Sequence, residues 1–303
     1  MKNTRKFKLT TPVLFLIFNR IETTKKVFAE IRKARPTKLY IAADGPRNEE
    51  EKKKTDAVRK YVLENIDWPC KVKTLLRDKN LGCKYAVSSA ITWFFENEER
   101  GIILEDDCLP SQSFFRFCQE LLERYKDDER VMQISGTNIE RISKIKEDYF
   151  FTPCFNAWGW ATWRRAWKNY DVEMKEWKKI RFSKNFLEIV KDYSFLDKIK
   201  SWRLYQLTYA KKIDTWDYQW IFCCLINNAL CIIPKKNLIT NIGFKKGTHT
   251  TNYIEKEKSL KRFEMDFPLF DNNRIIKSEG YLRVYFTFFK VKKWKKIIKF
   301  LKI

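Results

Sequence analysis

An α/β fold, with a sheet flanked by helices and a basic helical tail behind it, is what this sequence predicts. Three observations carry that expectation. Five short strand-like runs alternate with amphipathic stretches through the first half. One of those runs, 102–104, ends abruptly in three consecutive acids. The final stretch, 286–303, contains many lysines and no acid. Strands separated by amphipathic helices read as βαβ units, which wind a twisted sheet with helices on both faces.

The elements follow in order. Residues 13–18 are continuously apolar, as a strand buried on both faces requires, and a helix is expected at 23–33. A second apolar run, 39–43, precedes a charged helical stretch at 49–65, and a third strand at 72–76 precedes a helix at 84–97. Ile102, Ile103 and Leu104, with Gly101 as the turn before them, open the strand 102–105. A helix at 113–125 and a strand at 131–134 complete the alternation. Beyond about 150 the pattern becomes aromatic-rich helices and irregular segments, with a strand-like run at 238–242.

The chain of 303 residues, 44% hydrophobic and 16% aromatic, suffices for one large domain plus an appendage and excludes global disorder. The formal charge of +24 calls for an acidic partner: nucleic acid, anionic lipid or a phosphorylated substrate. No apolar run approaches the roughly 18 residues of a membrane span. The basic start, followed by a short apolar run and Arg20, does not make a signal peptide. Eight cysteines without a C-x-x-C pair, one histidine and no N-x-[ST] sequon point to reduced thiols and a cytoplasmic protein without structural zinc. Neither G-x-G-x-x-G nor G-x-x-x-x-G-K-[ST] occurs, which argues against dinucleotide and P-loop enzymes. The segment after the first strand, Phe18 to Thr24, lacks the glycine-rich loop of a nucleotidyltransferase.

Glu105, Asp106 and Asp107 are expected at the carboxyl end of their strand, where open α/β sheets bind ligands. Crowded carboxylates attract a hard cation, Mg²⁺ or Mn²⁺, whose open positions phosphate oxygens can fill. The plainer alternative is a polar strand end in solvent. Four motifs occur in order: Pro12 to Arg20, Ala42-Ala-Asp-Gly45, Arg77-Asp-Lys-Asn-Leu-Gly-Cys83 and Leu104-Glu-Asp-Asp107. Together they resemble the nucleotide-sugar half of GT-A-fold glycosyltransferases, bacterial relatives of the N-acetylglucosaminyltransferase I group and the family-two transferases. The resemblance covers roughly 10–250 and implies a GT-A, Rossmann-like mixed sheet. It implies a catalytic domain over 1–255 and, over 256–303, an extension carrying a basic amphipathic helix.

Within that resemblance, Phe18, Asn19 and Arg20 end the first strand, where an amide and a fixed cation can read a uracil edge or a phosphate. Asp44 would accept a hydrogen bond from the uracil imide N–H; alone, Asp44-Gly45 also reads as a plain turn. Arg77 and Lys84 flank the turn at Asn80-Leu81-Gly82 and either neutralise diphosphate or are solvated surface. The resemblance makes Asp107 the direct metal ligand and Asp106 a ribose or outer partner, with Glu105 facing a neighbouring helix or strand. His249, among glycines, threonines, Lys245 and Lys246, resembles the closing loop that places a histidine on metal or diphosphate; a lone histidine is otherwise structural or exposed.

An inverting transferase needs a carboxylate beside the acceptor hydroxyl. Asp217, between Trp216 and Trp220 and ahead of an apolar helix at 221–230, is that candidate, with Asp214 and Asp171 in reserve; an acid there is also an ordinary helix cap. Trp160, Trp163 and Trp167 are spaced as a buried helix stripe, whereas Trp158 and Gly159 precede it as sugar contacts. In the tail, Val291, Trp294, Ile297, Ile298 and Leu301 repeat at helical spacing opposite lysines, the composition of a helix lying on anionic lipid. A solvated tail or a nucleic-acid-binding arm are the alternatives.

These readings combine into a peripheral enzyme on the inner face of the membrane. It would move a sugar from a nucleoside-diphosphate donor, most plausibly UDP-linked, to a hydroxyl of a glycan or lipid-linked acceptor with Mn²⁺ or Mg²⁺. The competing class is a non-enzymatic nucleic-acid or anionic-lipid binder, in which the acids of 105–107 are dispensable.

Overall fold

The structure, a computed structural model, describes residues 7–243, 260–271 and 281. Its first half alternates as expected: β1 (Val13–Ile17), α1 (Ile21–Ala34), β2 (Lys38–Ala43), α2 (Glu49–Glu64), β3 (Lys71–Leu76), α3 (Gly82–Asn97) and β4 (Arg100–Glu105). The short β5 (Cys108–Pro110), α4 (Gln112–Arg124) and β6 (Val131–Ser135) follow. The second half holds β7 (Tyr149–Thr152), β8 (Trp160–Trp163), α5 (Arg164–Trp167), α6 (Lys175–Ile180), α7 (Lys184–Ile189), α8 (Phe195–Tyr209), α9 (Asp217–Ile226), β9 (Leu230–Pro234) and β10 (Ile239–Asn241).

Eight strands form one mixed sheet in the order β3-β2-β1-β4-β8-β6-β9-β7. The first four are parallel, β8 runs antiparallel between β4 and β6, and β7 closes the far edge antiparallel to β9. A separate antiparallel ribbon pairs β5 with β10.

The period of two along each strand divides the core between the sheet's faces. Val13, Phe15, Ile17, Leu39, Ile41, Ile102 and Leu104 pack with Phe28 and Ile31 of α1, Val58 and Val62 of α2 and the phenylalanines of α4. Leu14, Leu16, Tyr40, Ala42 and Ile103 take the opposite face, under Ile91, Phe94 and Phe95 of α3 and a tryptophan group. A third cluster, built from Met174, Trp177, Phe186, Val190, Tyr205, Phe222 and Leu225, binds α6, α7 and α8 onto α9.

The second half departs from expectation. Trp160, Trp163 and Trp167 are buried, but Trp160 and Trp163 lie on a strand and face opposite sides of the sheet. Spacings of three and four arise when a strand runs straight into a helical turn as well as along one helix. The helix expected at 221–230 starts earlier and stops at Ile226; Leu230 already belongs to β9. Residues 260–271 and Tyr281 join the same core: Leu260, Met265, Leu269 and Tyr281 are buried, and the Tyr281 hydroxyl accepts from the Ile139 N–H at 3.2 Å. His249, Lys245, Lys246 and the tail at 286–303 lie outside the described residues.

Candidate functional site

Register brings the site together. Leu16 pairs with Glu105 and Ile17 with Ala43, so β1, β2 and β4 end side by side. The segments beyond them, 18–20, 44–45 and 105–107, therefore leave the sheet at one edge.

Arg20 is the cation of this edge. It caps α1, its carbonyl accepting from the Thr24 N–H at 3.0 Å and the Thr24 hydroxyl at 2.7 Å. Its guanidinium forks: Nη1 donates to Asp107 Oδ2 at 2.8 Å and Nη2 to Asp106 Oδ1. Burial opposes the Arg20 charge, but the two carboxylates outweigh it and raise the group above its ordinary value. Asp106 is almost fully buried, and burial pushes its carboxyl up against the pull of Arg20, with Asp107 adding to the push. Glu105 is pushed above the usual carboxylate range by burial first, then by the negative charge of Asp107, with Asp217 contributing. Glu105, expected to face a neighbouring helix or strand, lies in the electrostatic reach of Cys83 on α3 and Asp217 on α9, beside Asp107.

Two further features mark this edge. Asp106 Oδ2 is buried and makes no close hydrogen bond among the described residues, although the Phe18 backbone lies near enough to draw the Asp106 carboxyl down; an unsatisfied carboxylate oxygen is costly. Gly243 follows the β5–β10 ribbon and packs directly on the pair: a Cβ there would stand 2.2 Å from Asp107 Oδ2 and 3.0 Å from Arg20 Nη1. The Ile242 N–H donates to the Asp107 carbonyl at 2.8 Å, fixing that approach. The segment carrying His249 thus departs from a point in contact with Asp107.

Among the described residues no three His, Cys, Asp or Glu side chains converge as a metal cage. What converges is the pair Asp106 and Asp107, with one buried oxygen that makes no close hydrogen bond among the described residues. Such a pair fits a hard cation that takes its remaining ligands from phosphate and water.

The other expected residues take varied positions. Asn19 Nδ2 donates to Glu51 Oε1 at 2.7 Å, and Arg47 pairs with the same carboxylate and stands over the Phe18 ring at 5.8 Å. The hydrogen bond from Arg47 is the main reason the Glu51 carboxyl is pulled down to about 2. Asp44 binds its own chain: its carboxylate accepts from the Gly45, Leu81 and Gly82 N–H groups and from Asn80 Nδ2, at 2.9 to 3.1 Å. It ties β2 to the start of α3, so a uracil imide would compete with these bonds. Asp214 accepts from the next two N–H groups, Cys83 at 3.1 Å and Lys84 at 3.0 Å. The N-terminus of α3, a natural anion site, is thereby filled by two of the protein's own carboxylates.

Lys84 is not a free cation for diphosphate. It is buried with its ammonium 3.3 Å from Glu173, because α3 turns that side chain inward toward the 171–175 turn. Arg77 is half-buried, which lowers its guanidinium below the ordinary value, and donates to the Ser89 hydroxyl at 2.8 Å. Gly159 is buried at φ +62, and a Cβ there would lie 2.4 Å from Ile239 Cδ1, so backbone packing alone requires glycine at this position. Trp158 beside it is half-buried against the β5–β10 side of the core.

Of the three candidate bases, Asp171 accepts from the Glu173 and Lys175 N–H groups and caps a turn, as Asp214 caps α3. Asp217 accepts from the Tyr218 N–H at 2.9 Å and from the Thr215 hydroxyl, and its charge reaches Glu105 and Cys83.

Glu51 and Arg47 are not among the residues that the sequence motifs single out. A signal was present: Asn48 three residues before Glu51 is a helix-start pattern, and Asn48 Oδ1 does accept from the Glu51 N–H at 2.9 Å. Nothing in the linear sequence aims Arg20 at residues 106 and 107, since that contact spans 86 and 87 positions.

No family model matches the chain, and no curated protein matches it. Among solved structures it is similar to a mannosyltransferase from Pyrobaculum calidifontis in complex with GDP-Man and Mn²⁺, at 14% identity and a TM-score of 0.36, over 52% of this chain and 45% of that one. A UDP-glucose pyrophosphorylase complexed with UDP-glucose aligns at 11% identity and a TM-score of 0.38, over 77% of this chain and 94% of that one. Mouse xyloside xylosyltransferase 1 aligns at 11% identity and a TM-score of 0.35, over 71% and 81%. The chain spans less than half the length of the mannosyltransferase. At TM-scores this low the likenesses carry no inference about activity, and the functional reading rests on the side chains of the site.

Proposed function

We propose that the protein is a metal-assisted glycosyltransferase that uses a nucleoside-diphosphate sugar. The observation that carries this reading is the Arg20–Asp106–Asp107 cluster at the common end of β1 and β4, with a buried carboxylate oxygen left without a close hydrogen bond among the described residues. Asp106 and Asp107 would hold a divalent cation, Mn²⁺ or Mg²⁺, which supplies charge stabilisation for the leaving diphosphate. Arg20 then supplies a second positive charge from a rigid helix cap. Phe18 and Asn19, braced by Arg47 and Glu51, border the same edge and suit a nucleoside base, uracil by preference. Trp158 offers an apolar ring to a sugar face.

Asp217 is the proposed general base, removing the proton from an acceptor hydroxyl of a glycan or lipid-linked glycan with inversion at the sugar carbon. His249 and the two lysines before it are proposed to close over the diphosphate, supported by the position of Gly243 against Asp107. Association with the inner face of a membrane through the C-terminal tail belongs to the same proposal; no helix among the described residues is long and apolar enough to cross one. Calorimetric titration of the purified chain with UDP tests the reading. Binding should require Mn²⁺ or Mg²⁺ and disappear on chelation, whereas equal affinity in excess chelator would remove its basis.

A further inference from the structure

The helical region between α6 and α8 exposes apolar side chains that no other part of the described chain covers. Phe182 is 78% exposed, Phe195 77%, Leu196 65%, Leu187 56% and Ile199 46%. These are five of the twelve exposed large hydrophobic residues among those described, gathered within 18 positions. Scattered exposed apolar residues are ordinary, but a contiguous group is an interaction surface.

Geometry makes the group contiguous. On α8, Phe195, Ile199 and Trp202 follow at intervals of four and three, which places them on one face. The Phe182 ring meets Trp202 at 5.9 Å between centroids, extending that face onto the end of α6. The Trp202 Nε1 donates to the Arg181 carbonyl at 2.7 Å, and the Arg181 guanidinium lies 5.0 Å from the Phe182 ring, so the outward pose of Phe182 is fixed from two sides. Beneath, Trp177, Phe186, Tyr205 and Phe222 form the third core cluster, so these helices are anchored independently of the exposed residues.

Charge identifies the occupant. Residues 175–203 contain nine lysines and arginines against four acids. Lys179, Lys191 and Lys200 pair with Glu176, Glu188 and Asp197, each three residues before them. Lys175, Lys178, Lys184 and Lys198 have no carboxylate within ion-pair distance among the described residues. A second copy of this chain, or its lysine-rich tail, would meet this surface with like charge. The side chains project outward from separate helices, unlike the lining of a groove that would grip a peptide. Projecting aromatic and aliphatic side chains ringed by unpaired lysines are the chemistry of an anionic lipid interface.

We propose that this face, from Phe182 to Trp202, docks the protein on an anionic bilayer, with Phe182, Phe195 and Leu196 entering the acyl boundary and the unpaired lysines contacting lipid phosphates. This surface is distinct in sequence from the C-terminal tail and acts whether or not the tail binds lipid.

The test uses the full chain and hydrogen exchange, which separates this face from the tail. Vesicles of phosphatidylcholine containing about one-third phosphatidylserine should slow exchange across 182–203, and pure phosphatidylcholine should not. On the anionic vesicles, Phe182→Ser/Phe195→Ser/Leu196→Ser and Lys178→Glu/Lys184→Glu/Lys198→Glu should each lower the lipid-dependent protection of this segment about tenfold or more, with unchanged circular dichroism. Sedimentation of the wild-type chain with no change in exchange at 182–203 would overturn the proposal, as would either variant keeping the wild-type protection of that segment. Protection of this segment by raised protein concentration alone, without lipid, would assign the face to a second copy instead.

Discussion

Asp107→Ala is expected to abolish cation-dependent binding of UDP. Asp107 is half of a carboxylate pair held by one guanidinium, and its removal leaves Asp106 alone with Arg20. A single buried carboxylate already neutralised by arginine offers a divalent cation little net charge, whereas two carboxylates against one arginine retain one negative charge. The variant should still fold, because Asp107 keeps some solvent contact and its backbone carbonyl still accepts from Ile242. Calorimetry on UDP with Mn²⁺ should show no saturable heat for the variant. Affinity equal to wild type would remove Asp107 from the metal site.

Asp217→Asn should leave donor binding within a few-fold and lower transfer roughly a hundredfold or more, the scale of a lost general base. That corresponds to about 2.7 kcal/mol of barrier. The substitution keeps an oxygen that can accept from the Tyr218 N–H and the Thr215 hydroxyl, so the start of α9 should persist. Single-turnover transfer at saturating donor separates the two effects. Undiminished transfer would move the base elsewhere, though Asp214 and Asp171 are already engaged in capping backbone N–H groups.

The first half was legible because its signals are local. β1, β2 and β4 are built on short apolar runs, β3 on a more polar edge stretch, helical stretches intervene, and the acids at 105–107 sit where a parallel strand must end. The second half was less legible for physical reasons. β7, β8 and β9 are buried on both faces and contain aromatic or cysteine residues, so they lack the alternation that marks a strand. Trp160 to Trp167 satisfied a helix spacing while crossing from strand to helix.

The site divides in the same way. Asp106, Asp107 and Arg20 were identifiable as strand-end residues, but their mutual contact depends on the β1–β4 register. The surroundings of Lys84 and Gly159 were not legible because burial is set by tertiary packing: one turns toward Glu173, the other against Ile239. Asp44 and Asp214 show how two acids far apart in sequence, each readable as a binding group, can converge on one helix start.

The most direct measurement is release of nucleoside diphosphate from a panel of sugar nucleotides by the purified full-length chain, with Mn²⁺ and with chelator. The account predicts that at least one donor, UDP-linked by preference, is hydrolysed slowly without acceptor, that chelation stops the release, and that Asp107→Ala does not catalyse it. Release that continues in chelator, or persists in Asp107→Ala, would contradict the assignment of the Asp106–Asp107 pair as a cation-dependent donor site.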